Sequence, residues 1–227
     1  MKIRNKNQLS LFLTLAFAGL SLLLGACSGN NKKERLPVLG HKETVERTVN
    51  GQTVTDTIYS EIPDFAFINQ DSQVVANKDF AGKLYIADFF FTTCPTICPK
   101  MKSQMLRVYE KFKDNPDVMF LSHTIDPKHD TVAVLRDYAE RLQVSSEKWH
   151  FVTGDKDAIF EIAEKYMVSA MEDEKEAGGL VHSGAFILVD ENRRIRGVYD
   201  GTMAEQVDQL MLDIPVLLKE MKGHAKQ

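Results

Sequence analysis

The chain has 227 residues, with 28 lysines and arginines against 32 aspartates and glutamates, a formal charge of −4 and 44% apolar residues. That is enough for one α/β domain with a sizeable core. The acidic balance gives no support for a nucleic-acid partner.

In chain order, residues 1–26 have the pattern of an export signal. A basic start (Lys2, Arg4, Lys6) leads into an apolar stretch from Leu9 to Leu24, interrupted by Ser10, Thr14, Gly19 and Ser21, with small residues ahead of Cys27. Leu24-Gly25-Ala26-Cys27 resembles a bacterial lipobox. That resemblance implies cleavage before Cys27, a lipid on Cys27, and an exported domain anchored on the outer side, periplasmic or extracellular, of a membrane. A retained single span fits less well, because the run falls short of the ~20 apolar residues a spanning helix needs. Cleavage removes three positive charges and no negative one, so the formal charge moves from −4 to −7. Residues 27–43 read as the lipidated cysteine and a tether, polar and charged from Ser28 to Arg35. Residues 44–60 read as a β-hairpin outside the core sheet, since polar and β-branched residues alternate on both sides of Asn50-Gly51.

Residues 61–222 are expected to form the main domain. Leu84 to Phe91 is a nearly continuous apolar run broken by Asp88, as in a strand covered on both faces. Met101 to Phe112 places Met101, Met105, Val108, Tyr109 and Phe112 on one helical face, and Val118 to Ile125 is the next strand. A helix over Thr131 to Leu142, a strand over Trp149 to Val152 and a helix over Lys156 to Tyr166 follow. Ala185 to Val189 and Ile195 to Tyr199 form a hairpin around Asp190-Glu191-Asn192, and a helix over Met203 to Met221, with a bend expected near Pro215, closes the chain. Strands alternating with helices and ending in a hairpin argue for a central mixed sheet flanked by helices. The predicted class is α/β with a thioredoxin-like fold and an extra N-terminal β-hairpin.

Cys94 and Cys98, in Thr93-Cys94-Pro95-Thr96-Ile97-Cys98-Pro99, sit where the first core strand gives way to a helix. The sequence places both thiols at an exposed helical N-terminus, where unpaired N–H groups and the helix dipole favour thiolate. A thiolate pair serves either disulfide exchange or a soft metal. With Cys27 lipidated, these two sulfurs have only each other within the chain.

Ile86-Ala87-Asp88-Phe89-Phe90 ahead of Cys94 is similar to the thioredoxin strand that carries a buried aspartate at the same interval. Two departures stand against ordinary exchange. Three residues separate the cysteines instead of two, although i, i+4 sulfurs ~6 Å apart along a helix still permit a disulfide. The stretch from Gly179 to Val189, where thioredoxins place a cis-proline, has no proline and offers His182. Two thiolates and an imidazole suit copper, because Cu(I) favours sulfur and Cu(II) accepts imidazole. A closed structural zinc site would need a fourth ligand, and none is evident.

Together, the Phe-rich strand into the two cysteines, Ile125-Asp126-Pro127-Lys128-His129-Asp130-Thr131 before a helix, and Val181-His182-Ser183 before a strand resemble the Sco (SenC) family. The resemblance runs from about Ile62 to Leu218. It implies copper, as Cu(I) or Cu(II), bound by Cys94, Cys98 and His182, and a role in assembling the copper centre of a respiratory cytochrome c oxidase, whose copper-accepting subunit would be the partner. Val132 departs from the family, which usually has proline there, and bears on helix initiation more than on chemistry. The alternative function is a thiol–disulfide oxidoreductase, with Cys94 and Cys98 as its redox pair, that keeps an oxidase subunit's copper-ligand cysteines reduced.

Asp126 and Asp88 are candidates to support the ligands from behind, the first as an outer partner of the metal site and the second as a buried carboxylate tuning the thiols. Each also has a purely structural reading. His129 reads as solvated, His123 as a satisfied core or strand-end group, and Met101 and Met105 as packing. The acidic run from Glu172 to Glu176 reads as a solvated loop that could steer a basic partner or let His182 swing.

Overall fold

The computed structural model describes residues 35–49, 51–172 and 180–224, with residues 170–172, 180–182 and 224 described by their backbone. The expected signal, Cys27 and Asn50 lie outside the described residues.

Lys42–Val49 (β1) and Gln52–Tyr59 (β2) pair antiparallel in a two-stranded sheet of their own. Their register puts Val45, Val49, Val54 and Ile58 on one face of the ribbon, and all four are exposed. The main sheet is built from Ala66–Asn69 (β3), Val74–Ala76 (β4), Leu84–Phe90 (β5), Val118–Thr124 (β6), Trp149–Thr153 (β7), and two later strands. A two-stranded element, Ala170–Glu172 (β8) with Leu180–His182 (β9), precedes those last two, Ala185–Val189 (β10) and Ile195–Asp200 (β11). The seven strands lie in the order β11-β10-β5-β6-β7-β3-β4. β5, β6 and β7 run parallel, while β10 and β11 on one side and β3 and β4 on the other are antiparallel.

The parallel strands require crossovers, and the helices supply them. Ile97–Phe112 (α1) joins β5 to β6, Val132–Leu142 (α2) joins β6 to β7, Lys156–Lys165 (α3) follows β7, and Ala204–His224 (α4) closes the chain. α1 begins four residues upstream of the apolar face that starts at Met101. α2 begins at Val132, with the Thr131 hydroxyl accepting the Val134 N–H at 3.4 Å, so the hydroxyl caps a helix that lacks the proline. α4 continues through Pro215.

All seven residues of β5 are buried. On one face, Lys102 of α1 bonds Asp88 and Tyr138 of α2 stacks on Phe90. On the other, Tyr166 at the end of α3 packs edge-on against Phe89. This is the thioredoxin-like plan expected from the alternation of elements. Patterning does not separate the short strands β3, β4, β8 and β9, because three or four residues carry too little periodicity.

Arg196 ties Leu36, Pro37 and the last helix to the sheet's edge strand. Its guanidinium donates to the carbonyls of Leu36 at 2.6 Å and Pro37 at 3.0 Å, to Asp190 at 3.0 Å and to Glu220 at 2.5 Å, and Glu220 also accepts the Leu36 N–H at 2.6 Å. Because the side chains of Asp190 and Glu220 are both nearly inaccessible, Arg196→Met would leave two carboxylates uncompensated, and the expected loss is about 3–5 kcal/mol. Urea unfolding of the variant beside the native protein measures it as a lower midpoint at unchanged slope.

Candidate metal centre

β5 delivers the chain directly to the cysteines. After Phe90 the backbone turns, with the Cys94 N–H donating to the Phe91 carbonyl at 3.3 Å, and α1 starts at Ile97. Cys94 therefore stands three residues ahead of the helix, and Cys98 is its second residue. This corrects the expectation of an exposed helical end shared by both thiols. The two residues are only 8% and 3% exposed, because Phe89, Phe90 and Phe91 draw the strand end into the core. Their sulfurs open onto a groove of about 330 Å³ lined by Pro99, Lys102, Leu106, Tyr138 and Leu142 among others.

The two thiols are unequal. Burial pushes Cys94 up, but the N–H groups of Cys98 and Thr96, the Cys98 thiol and the Thr96 hydroxyl, 3.6 Å away, all point at its sulfur and leave it below the ordinary thiol value. Burial pushes Cys98 up to about 12, with the Phe91 N–H opposing. The hydrogen bond to Cys94 and that sulfur's charge raise Cys98 further, and Lys102 lowers it. Negative charge on the pair thus falls first on Cys94.

β9 ends at His182, paired with Ala170, and its side chain lies outside the described residues. The backbone two residues on can be placed. Gly184, at φ +68°, is so close to α1 that a Cβ there would meet Ile97 at 3.5 Å and Met101 at 3.8 Å. The strand leaving His182 therefore runs beside the helical turn that carries Cys98. Among the described residues, no three His, Cys, Asp and Glu side chains gather into a metal cluster.

Of the two supporting carboxylates, Asp88 is fully buried on β5. It accepts Lys102 Nζ at 3.0 Å and the Ser122 hydroxyl, which in turn accepts Trp149 Nε1 at 2.8 Å. Asp126 is half-buried and only shapes its own loop: its N–H donates to the Thr124 hydroxyl at 3.0 Å and its side chain receives the His129 N–H at 3.4 Å. The same motif supplies Asp130 instead. That buried carboxylate accepts the Thr92 N–H at 3.0 Å, the Thr92 hydroxyl and the Thr124 hydroxyl at 2.5 Å, fixing the start of the cysteine loop.

Sequence reading missed Asp130 and Lys102. A signal for Lys102 existed, since it stands at i+4 from Cys98 on the buried stripe of α1 with Met101, Met105 and Tyr109. A lysine on an apolar stripe implies a buried partner. Met101 and Met105 are packing, and His129 is exposed, as expected. Residues 173–176 of the acidic run lie outside the described residues.

His123 differs from its expectation. It is fully buried, but neither ring nitrogen has a hydrogen-bond partner among the described residues. Instead the ring stacks on Phe89 at 4.9 Å, with Phe67 edge-on at 5.2 Å and Tyr166 at 5.6 Å. Burial lowers its pKa from 6.5 to about 3. The unfolded chain therefore takes up a proton that the folded chain refuses, so His123 costs no stability above pH 6.5 and progressively more as the pH falls towards 3. By pH 5.5 the loss is about 1.4 kcal/mol. His123→Phe should be more stable than the native protein and should lose this share of the pH dependence, read from urea midpoints at pH 7.5 and 5.5.

A family profile described as SCO1/SenC matches residues 53–216. The SCO1 protein homolog of Bacillus subtilis (strain 168) is 31% identical over 166 residues, covering 72% of this chain and 86% of that protein. Among solved structures, a SCO1/SenC family lipoprotein from Bacillus anthracis str. Ames aligns at TM-score 0.64 and 27% identity, over 70% of this chain and 95% of the other. BsSco, described as having a disulfide switch and as a member of the Sco family of cytochrome c oxidase assembly proteins, aligns at 0.61 and 31%, over 69% and 92%. Arabidopsis thaliana ScoI with copper bound aligns at 0.60 and 27%, over 71% and 99%.

Proposed function

The chain belongs to the SCO1/SenC family, and on that premise we propose that it is a copper metallochaperone for the copper centre of a respiratory cytochrome c oxidase. Copper is its cargo, held by the sulfurs of Cys94 and Cys98 and a ring nitrogen of His182. The observation that carries this reading is the pair of adjacent sulfurs at the mouth of a groove, beside the backbone that leaves His182. Copper-bound Arabidopsis ScoI, of like fold and 27% identity, supports the choice of metal, and the description of BsSco supports the choice of oxidase.

The residues suit transfer. Cys94, already polarised by four hydrogen-bond donors, is the sulfur ready to take the ion, and Cys98 joins when its proton leaves. Three ligands leave one side open, so an acceptor's ligand can enter before the donor's depart. The full-length protein should bind one copper per chain after reduction, and Cys94→Ser, Cys98→Ser and His182→Ala should each lower affinity by at least about tenfold. Metal analysis after dialysis, with sulfur-to-Cu(II) absorption, checks this, and full retention in all three variants would sink the assignment.

The unequal thiols favour a second activity at the same site. Cys94 thiolate attacks a partner's disulfide and releases one partner thiol, and Cys98 then displaces the other, leaving a Cys94–Cys98 disulfide and two reduced partner cysteines. This is the oxidoreductase alternative.

Residues 1–26 we read as the export signal, Cys27 as the lipid attachment, residues 27–43 as the tether, 44–60 as the hairpin extension and 61–222 as the thioredoxin-like domain. The lipobox-like tetrapeptide and the Bacillus anthracis lipoprotein support membrane anchoring, and no helix among the described residues is long and apolar enough to cross a membrane. Cys27→Ser should shift the protein from the membrane to the soluble fraction of fractionated cells, and unchanged membrane retention would reject the lipid anchor.

A further inference from the structure

The ion pair beneath the cysteines remains unexplained once the metal ligands are assigned. Lys102 and Asp88 lie 3.0 Å apart with side chains only 5% and 1% exposed. Burying two charges gains little stability by itself, so the orientation of the pair is informative. Lys102 lines the groove onto which Cys94 and Cys98 open, whereas Asp88 does not and is held behind it on β5 by Ser122. The ammonium is also fixed among aromatic faces, 4.3 Å from the Phe90 ring centre, 5.2 Å from Phe151 and 5.3 Å from Trp149. Of the two partners, Lys102 thus lies on the side of the groove that the cysteines share, one helical turn from Cys98, and Asp88 lies on the sheet behind it.

We infer that Lys102 is a fixed counter-charge for the sulfur pair, offsetting the negative charge that Cys94 and Cys98 carry when reduced or metal-bound, and that Asp88 is the positioning residue that holds it there. The inference rests on the proposed role of the cysteines but is common to copper carriage and disulfide exchange, since both place negative charge on sulfur.

The two ends of the pair make opposite contributions, and that separates electrostatics from packing. The full-length protein, kept metal-free with chelator, is equilibrated with glutathione and its disulfide. Oxidation forms the Cys94–Cys98 bond and releases two glutathione thiols, and the fraction oxidised is read by thiol alkylation and mass. Lys102→Met should raise the equilibrium constant for oxidation by about tenfold, because the reduced sulfurs lose their counter-charge. Asp88→Asn, which leaves Lys102 unbalanced, should lower it by a few-fold. Lys102→Arg, which keeps the charge, should stay within about threefold of native.

Shifts in the same direction for Lys102→Met and Asp88→Asn, or none in either, would overturn the inference and leave the pair as packing alone. Should Lys102→Met fail to fold, Lys102→Gln stands in as the charge-free variant, and a value equal to native would be equally decisive against it. Copper stoichiometry on the same native preparation separates the readings. Opposite shifts without copper binding would reject copper carriage and keep the counter-charge, whereas copper binding without opposite shifts would do the reverse.

Discussion

The Asp130 carboxylate joins the ends of two neighbouring parallel strands, and the geometry of the cysteine loop depends on it. Thr92 follows β5 and Thr124 ends β6, and one buried carboxylate takes hydrogen bonds from both. A buried charge must be satisfied in full to be tolerated, so three donors at fixed places determine where the carboxylate sits and where the chain can turn after β5. From that point the run to Cys94 is two residues long. The backbone groups that polarise Cys94 are in place because the turn into α1 has little freedom.

The central sheet keeps different chemistry on its two faces. Towards α1 and α2, alternate residues of β5 and β6 carry a connected polar network, Asp88, Ser122 and Lys102 with the Trp149 indole, enclosed by Phe90 and Phe151. On the α3 side the neighbouring residues, Phe89 and His123, pack against each other and Phe89 against Tyr166 through their rings. The side-chain period of two puts these environments one residue apart along the same strands. A single-residue register slip between β5 and β6 would bring Asp88 among the aromatic rings and Phe89 against the lysine, so the polar network specifies strand register at the level of the active loop.

Much of this was legible in the chain. The long amphipathic helices and fully apolar strands declared themselves by periodicity, and the cysteine spacing, the Asp126 to Thr131 segment and Val181-His182-Ser183 pointed together to one family. What escaped did so for physical reasons. Asp130 and Asp126 flank the same loop, and sequence alone cannot tell which carboxylate turns inward. The junction of an apolar strand with a helix suggests an exposed helix end for Cys94 and Cys98, whereas a turn precedes the helix and the phenylalanines bury both. A buried polar group is expected to find a hydrogen-bond partner, and at His123 aromatic contacts take its place. Lys102 was overlooked because a lone lysine in a helix usually faces water.

Arg196 has a mechanical consequence as well as an energetic one. It grips the carbonyls of Leu36 and Pro37 together with Glu220 of the last helix, at the edge strand β11, and β10 separates that edge from β5. Tension applied through the N-terminal segment is therefore carried first by this clamp and shared between the edge strand and α4. The clamp itself sits two strands away from β5, the strand that leads into the cysteine loop, so the point where such a pull enters the domain is set apart from the sulfurs.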